Sequence, residues 1–174
     1  MGTGAQTFAR FDLAGVIREV MLDLDEVIRE ADATIVVEDM PEIDCDRGQM
    51  KQLFQNLIAN AIQHGAETSP IVITSWIASG EIVIQVHNDG PPIAASKIPT
   101  TFDFSAQRRT NNGDVTTGLG HLGIGLYITG KIVEAHAGKI SVTSTAQEGT
   151  TFEVFLPRSS PATKANGSHA HPHR

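Results

Sequence analysis

Three clusters in this sequence combine residue types and spacings able to do chemistry. In the stretch 52–64, Asn56 and Asn60 stand four residues apart, with Gln63 and His64 just beyond. On a helix that spacing stacks the two asparagines on one face, at the edge of an apolar stripe. A carboxamide oxygen there can coordinate Mg²⁺, a hard ion that takes oxygen ligands and bridges to phosphates; the same pattern also suits the solvated side of an amphipathic helix. The second cluster, Val86-His87-Asn88-Asp89-Gly90-Pro91-Pro92-Ile93, is a strand running into a turn. Asn88 just past the strand can accept a hydrogen bond from an adenine amino group, and Gly90 lets a ligand approach the backbone. A plain Asn-Asp-Gly-Pro turn needs the same residues. The third cluster is Gly118-Leu119-Gly120-His121-Leu122-Gly123-Ile124-Gly125-Leu126. Glycines leading into a helix free its first amides to face an anion, which the helix dipole favours, although they also serve simple flexibility. Arg108 and Arg109, shortly before it, could close over a terminal phosphate or remain solvated loop charges.

These clusters need elements to hold them, and the periodicities supply them. Val16, Ile17, Val20, Leu24, Val27 and Ile28 form a helical stripe, followed by a short strand at 34–38. Met50, Leu53, Phe54, Leu57, Ile58, Ala61 and Ile62 keep helical spacing, with Asp46 as N-cap. Strands at 71–77 and 81–87 join through a Ser-Gly hairpin signal. The loop 99–120 has little structure of its own and reads as a lid. A helix from 124 to 136 follows, with Gly138 as its left-handed C-cap. Strands at 139–145 and 151–156 turn through Gly149. The expected fold is an α/β (α+β) two-layer sandwich: a mixed, mainly antiparallel sheet with helices on one face and the other partly solvated.

The 174 residues suit one domain. Residues 1–10 read as a leader, 11–158 as the domain, and 159–174 as a disordered polar tail. His169, His171 and His173 in that tail alternate and could bind a metal or simply be solvated. A net charge of −7 argues against a nucleic-acid partner. The single cysteine, Cys45, excludes an internal disulfide framework. No apolar run approaches the roughly 20 residues that a membrane helix needs, and no secretory signal opens the chain, so a cytoplasmic chain without membrane contact is expected.

In order and spacing the three clusters resemble the ATP-binding catalytic domain of sensor histidine kinases. That group, the GHKL or Bergerat-fold family, also includes gyrase, HSP90 and MutL. Residues 52–64 resemble its Asn-bearing helix, 88–93 its first glycine box, 102–104 its phenylalanine box and 122–128 its second glycine box. Ala135-His136-Ala137-Gly138 and Gly149-Thr150-Thr151-Phe152 resemble its closing segment. The resemblance runs from about Phe11 to Pro157 and implies ATP and Mg²⁺ as cofactors. It implies Asn60 as the Mg²⁺ ligand, with Asn56 helping catalysis on the same face and His64 near the phosphates or ribose. Asn88 falls where the family usually has an adenine-reading Asp, and Gly123 and Gly125 bring backbone amides to the phosphates. Gly90, Pro92, Ile93, Phe104, Arg108, Arg109, His121, Leu122, Ile124, Leu126 and Thr151 complete the expected ATP site.

Three positions depart from the family's pattern. Gln63 stands where many of these kinases have a phosphate-contacting Lys, Pro92 replaces the second glycine of the first box, and His121 replaces a glycine before the helix. The first 60 residues contain no histidine. The resemblance therefore implies a phosphoacceptor on a histidine-bearing dimerisation domain outside this chain, in the same parent protein or in trans. A response regulator would act downstream, and the chain itself would be monomeric. Alternatives are a catalytically impaired nucleotide-binding regulatory module and an anti-sigma-type serine kinase. ATP hydrolysis as the main task is disfavoured, because the gyrase and HSP90 branch places a general-base Glu where this chain has Asn56.

Overall fold

The structure, a computed structural model, describes residues 7–103 and 122–159. Its elements run β1 (Phe8–Asp12), α1 (Leu13–Asp23), α2 (Asp25–Glu30), β2 (Ile35–Val37), β3 (Glu42–Asp46), α3 (Arg47–His64), β4 (Ile71–Ala78) and β5 (Glu81–Asn88). After a 3₁₀ turn at Ile98–Thr100 come α4 (Leu122–Ala135), β6 (Lys139–Thr145) and β7 (Gly149–Pro157). Five strands form one sheet in the order β2-β4-β5-β7-β6. Only β2 and β4 are parallel, joined by the crossover through β3 and α3; the other pairs are antiparallel. The result is the mixed, mainly antiparallel sheet with helices on one face.

Alternation along the strands decides which side is core. Ile71, Ile73, Ile82, Ile84, Val86, Phe152, Val154 and Leu156 are buried on the helix side, against Val16, Ile17 and Val20 of α1 and Leu53, Phe54, Leu57 and Ile58 of α3. The other face carries a cross-strand row of Trp76, Val83 and Phe155, in which Trp76 is 41% exposed. Its neighbours shield Val83.

Three features differ from the sequence expectation. β1 pairs antiparallel with β3 as a separate two-stranded ribbon, so regular structure is already present at Phe8, inside the expected leader. Both strands of the ribbon are only five residues long; β3 alternates, and its apolar residues Ile43 and Cys45 turn inward where the ribbon packs on the core. The first helical stripe is interrupted at Leu24, which separates α1 from α2 with φ −97° and ψ 8°. The third concerns the end of α4. Ala137, not Gly138, is the left-handed residue, at φ 55°. Ala137 N–H bonds to Glu134 O and Gly138 N–H to Val133 O, each 2.9 Å, which is the Schellman pattern. Gly138 is a glycine for space: a Cβ there would overlap Phe155 O and lie 2.8 Å from Leu156 Cδ2.

His136, at the same helix end, ties α4 to the start of α3. Its Nδ1 donates to Ile132 O at 2.7 Å, and its Nε2 accepts from Asp46 N–H at 3.1 Å. Its ring lies 4.9 Å from that of Phe8. Burial pushes its pKa below the ordinary value of 6.5, opposed by the Ile132 bond and by Asp46. A proton on Nε2 would remove the acceptor Asp46 N–H uses.

Two measurements follow. Ala137→Gly should stabilise the fold by about 0.5–1 kcal/mol by relieving the left-handed alanine, and Gly138→Ala should destabilise it by about 1–3 kcal/mol in denaturant titrations. Because the folded-state pKa of His136 is depressed, its contribution is full above pH 6.5 and is lost as pH falls toward the folded value. Thermal unfolding should weaken on acidification below that point, and His136→Phe should flatten the slope.

Candidate functional site

α3 starts where Asp46 Oδ1 accepts from Gln49 N–H at 3.0 Å and then buries Met50, Leu53, Phe54, Leu57, Ile58 and Ala61. Asn60 lies on this buried side, 5% exposed; among the described residues its side chain has no hydrogen-bond partner. Asn56 faces α4: its Nδ2 donates to Gly125 O at 2.9 Å and Thr129 Oγ1 at 3.3 Å, and its Oδ1 accepts from Gln52 Nε2 at 2.9 Å. Gln63 and His64 are exposed near the helix end, where desolvation lowers the His64 pKa.

The turn after β5 seats against that helix end. Ala66 N–H donates to Asp89 O at 2.6 Å. Gly90, at φ 152°, sits so close to the His64 carbonyl that a Cβ would overlap it. From the other side Gly149, at φ 70°, presses on the Asn88 carbonyl and lies within 2.9 Å of Asp89 Cα, measured from an added Cβ. Asn88 is thus enclosed between α3 and the first residues of β7, 2% exposed. Its Nδ2 donates weakly to Asp89 O at 3.3 Å, and its Oδ1 is buried with no hydrogen-bond partner. Leaving a buried acceptor unmet costs about 1–3 kcal/mol.

The register places Asn88 opposite Thr150 and His87 opposite Thr151. Opposed residues share a face, so Thr151 lies on the far side of the sheet, where its Oγ1 meets His87 Nδ1 at 2.8 Å. Thr150, 4% exposed, occupies the site side in its place. It bonds Ser144 Oγ at 2.7 Å, and Ser144 Oγ accepts from Ile93 N–H at 2.9 Å. The signal for Thr150 was available: it shares the parity of Phe152, Val154 and Leu156, the apolar residues of β7.

Among the other expected site residues, Gly125 and Leu126 pack inward on α4, Ile93 is half-buried, and Pro92 and Ile124 are exposed. Phe104, Arg108, Arg109 and His121, with most of the expected lid and the tail from 160, lie outside the described residues, as does the side chain of Leu122, while Gly123 stands in the first turn of α4.

The residues present fit a nucleotide and its ion. Asn88 Oδ1 asks for a donor such as an exocyclic amine. Among the described residues no three His, Cys, Asp or Glu side chains gather as a metal cage. The carboxamide oxygen of Asn60 is of the kind that Mg²⁺ takes, an ion that commonly keeps water and phosphate oxygens as its other ligands. A cleft of about 520 Å³ lined by Phe102, Tyr127, Gly130 and Lys131 contains neither Asn60 nor Asn88 and lies on the side of α4 away from Asn56.

Residues 45–160 match the family described as histidine kinase-, DNA gyrase B-, and HSP90-like ATPase. Over 152 residues the chain is 31% identical to the adaptive-response sensory kinase SasA of Parasynechococcus marenigrum (strain WH8102), covering 85% of this chain and 39% of that protein. The chain thus spans less than half the length of the curated relatives it matches. The nucleotide-free catalytic domain of the histidine kinase ThkA superposes with a TM-score of 0.70 at 30% identity, covering 88% of this chain and 97% of that one. ThkA in complex with the response regulator protein TrrA superposes with a TM-score of 0.66 at 30% identity, covering 87% and 42%. No helix among the described residues is long and apolar enough to cross a membrane.

Replacing the unmet amide of Asn88 by an apolar side chain of similar size removes its cost. Asn88→Leu should raise the unfolding free energy of the ligand-free protein by about 1 kcal/mol in urea titrations; a clear destabilisation would show that Asn88 is already satisfied.

Proposed function

This chain belongs to the histidine kinase-, DNA gyrase B-, and HSP90-like ATPase family, and we propose that it is the ATP-binding catalytic part of a sensor histidine kinase, acting on a histidine outside this chain. The observation that carries the reading is the buried, unpaired Oδ1 of Asn88, held opposite Thr150. In this reading Asn88 accepts a hydrogen bond from the adenine amino group and Thr150 lines the same base pocket. Asn60 holds Mg²⁺, which when bound neutralises phosphate charge. The first turn of α4 turns its unpaired amides toward the phosphates.

The residues of this chain then bind and orient; they supply no nucleophile. A ring nitrogen of the partner's histidine bonds to the γ-phosphorus as the β–γ bridging bond breaks and ADP leaves. The protein's contribution is alignment and charge compensation. Hydrolysis as the main task is disfavoured because Asn56 stands at the position of the general base, and a carboxamide takes no proton at neutral pH. A histidine-bearing dimerisation domain supplies the acceptor, and the ThkA–TrrA complex supports a response regulator as the onward partner.

The test is equilibrium binding of a fluorescent ATP analogue with and without Mg²⁺. Wild-type chain should bind it competitively with ATP and more tightly with Mg²⁺, Asn60→Ala should lose most of the Mg²⁺ effect, and Thr150→Val should weaken binding where Thr151→Val does not. Absence of binding by folded wild-type chain would remove the proposal.

A further inference from the structure

Asn56 stands on α3 one turn from Asn60, yet its carboxamide is hydrogen-bonded within the protein. Its Nδ2 donates to Gly125 O at 2.9 Å and to Thr129 Oγ1 at 3.3 Å, and its oxygen accepts from Gln52. Thr129 is fully buried and donates its own hydroxyl to Gly125 O at 2.9 Å. Asn56, Thr129 and the Gly125 carbonyl therefore form a closed triangle across the contact between α3 and α4.

We infer that Asn56 and Thr129 are a positioning clamp for the start of α4, serving the nucleotide site from behind rather than as its ligands. The inference rests on the nucleotide reading above. The start of α4 has a reason to need support. Leu122-Gly123-Ile124-Gly125 places two glycines in the first turn, and each weakens a helix relative to alanine. Those glycines leave the turn's amides open to an anion, so rigidity has to come from outside the helix. Asn56 supplies it from α3 at the Gly125 carbonyl, with Thr129 of α4 bonding the same oxygen. Gln52 already bonds Asn56 Oδ1, whereas the Asn60 side chain, buried on the same helix, has no hydrogen-bond partner among the described residues.

Thr129→Val keeps the shape and removes only the hydroxyl; Thr129→Ser restores the hydroxyl. The full chain and both variants are compared, with Asn56→Ala and Asn60→Ala, by affinity for the fluorescent ATP analogue with and without Mg²⁺ and by amide hydrogen exchange of residues 126–129 without nucleotide. The clamp predicts that Thr129→Val speeds exchange there and weakens analogue binding roughly three- to tenfold, the loss of about one hydrogen bond. That loss is the same with and without Mg²⁺, Asn56→Ala follows it, and Thr129→Ser behaves as wild type. Wild-type exchange and affinity in Thr129→Val would overturn the clamp. So would an Asn56→Ala protein that lost only the Mg²⁺-dependent part of binding, since that marks Asn56 as a direct ligand. Wild-type chain that bound no analogue would instead overturn the nucleotide reading, and the exchange measurement would still decide the clamp.

Discussion

Backbone meets backbone where the β5 turn is wedged between the end of α3 and the start of β7, and the site depends on that contact. Ala66 N–H reaches Asp89 O, and neither Gly90 nor Gly149 has space for a Cβ against the carbonyls of His64 and Asn88. Side chains at either glycine would push α3 or β7 away from the strand end. With both absent, the layers close until Asn88 is sealed from water while its oxygen stays an unmet acceptor. Polar burial of that kind is normally avoided, and here two glycines enforce it.

Closure has a thermodynamic consequence. An unmet acceptor in the core lowers the stability of the ligand-free fold and returns that energy when a donor arrives, so binding and folding are linked through one atom. The remainder of the core is arranged to tolerate it. Eight apolar strand residues and the inner faces of α1 and α3 form one continuous cluster, and the asparagine sits at its rim, where the strands end.

The two ends of α4 are fixed by different chemistry. Its last turn is closed by the Schellman bonds and by His136, whose imidazole bridges Ile132 O and Asp46 N–H. Its first turn is glycine-bearing and leans on Asn56 and Thr129. A helix anchored firmly at the far end and held by two side chains at the near end suits a role in which the near end meets an anion.

Much of this was legible in the sequence because it is local. Helical spacing from Met50 to Ile62, the Asp46 cap, the Ser-Gly hairpin and the alternation in the four longer strands each depend on residues within a turn or two, and together they determine a mixed sheet with helices on one face. The order of the asparagines and glycine boxes likewise determined the family. What lay beyond it involved partners far apart in the chain. The β1–β3 ribbon joins two five-residue segments some 30 residues apart, and local spacing does not show which strand each will pair with. Ala137 rather than Gly138 takes the left-handed position, and Gly138 is instead fixed as glycine by Phe155 and Leu156, which fill the space where a side chain at 138 would go. Thr150 rather than Thr151 faces Asn88 because cross-strand register, not motif position, assigns a residue to a face. Asn56 turns from a free carboxamide into a bonded one only when α4, some 70 residues later, lies against it. Residue types and their local spacing are written in the sequence; which hydrogen-bonding atoms remain unpaired is decided by tertiary packing, because that depends on every neighbour at once.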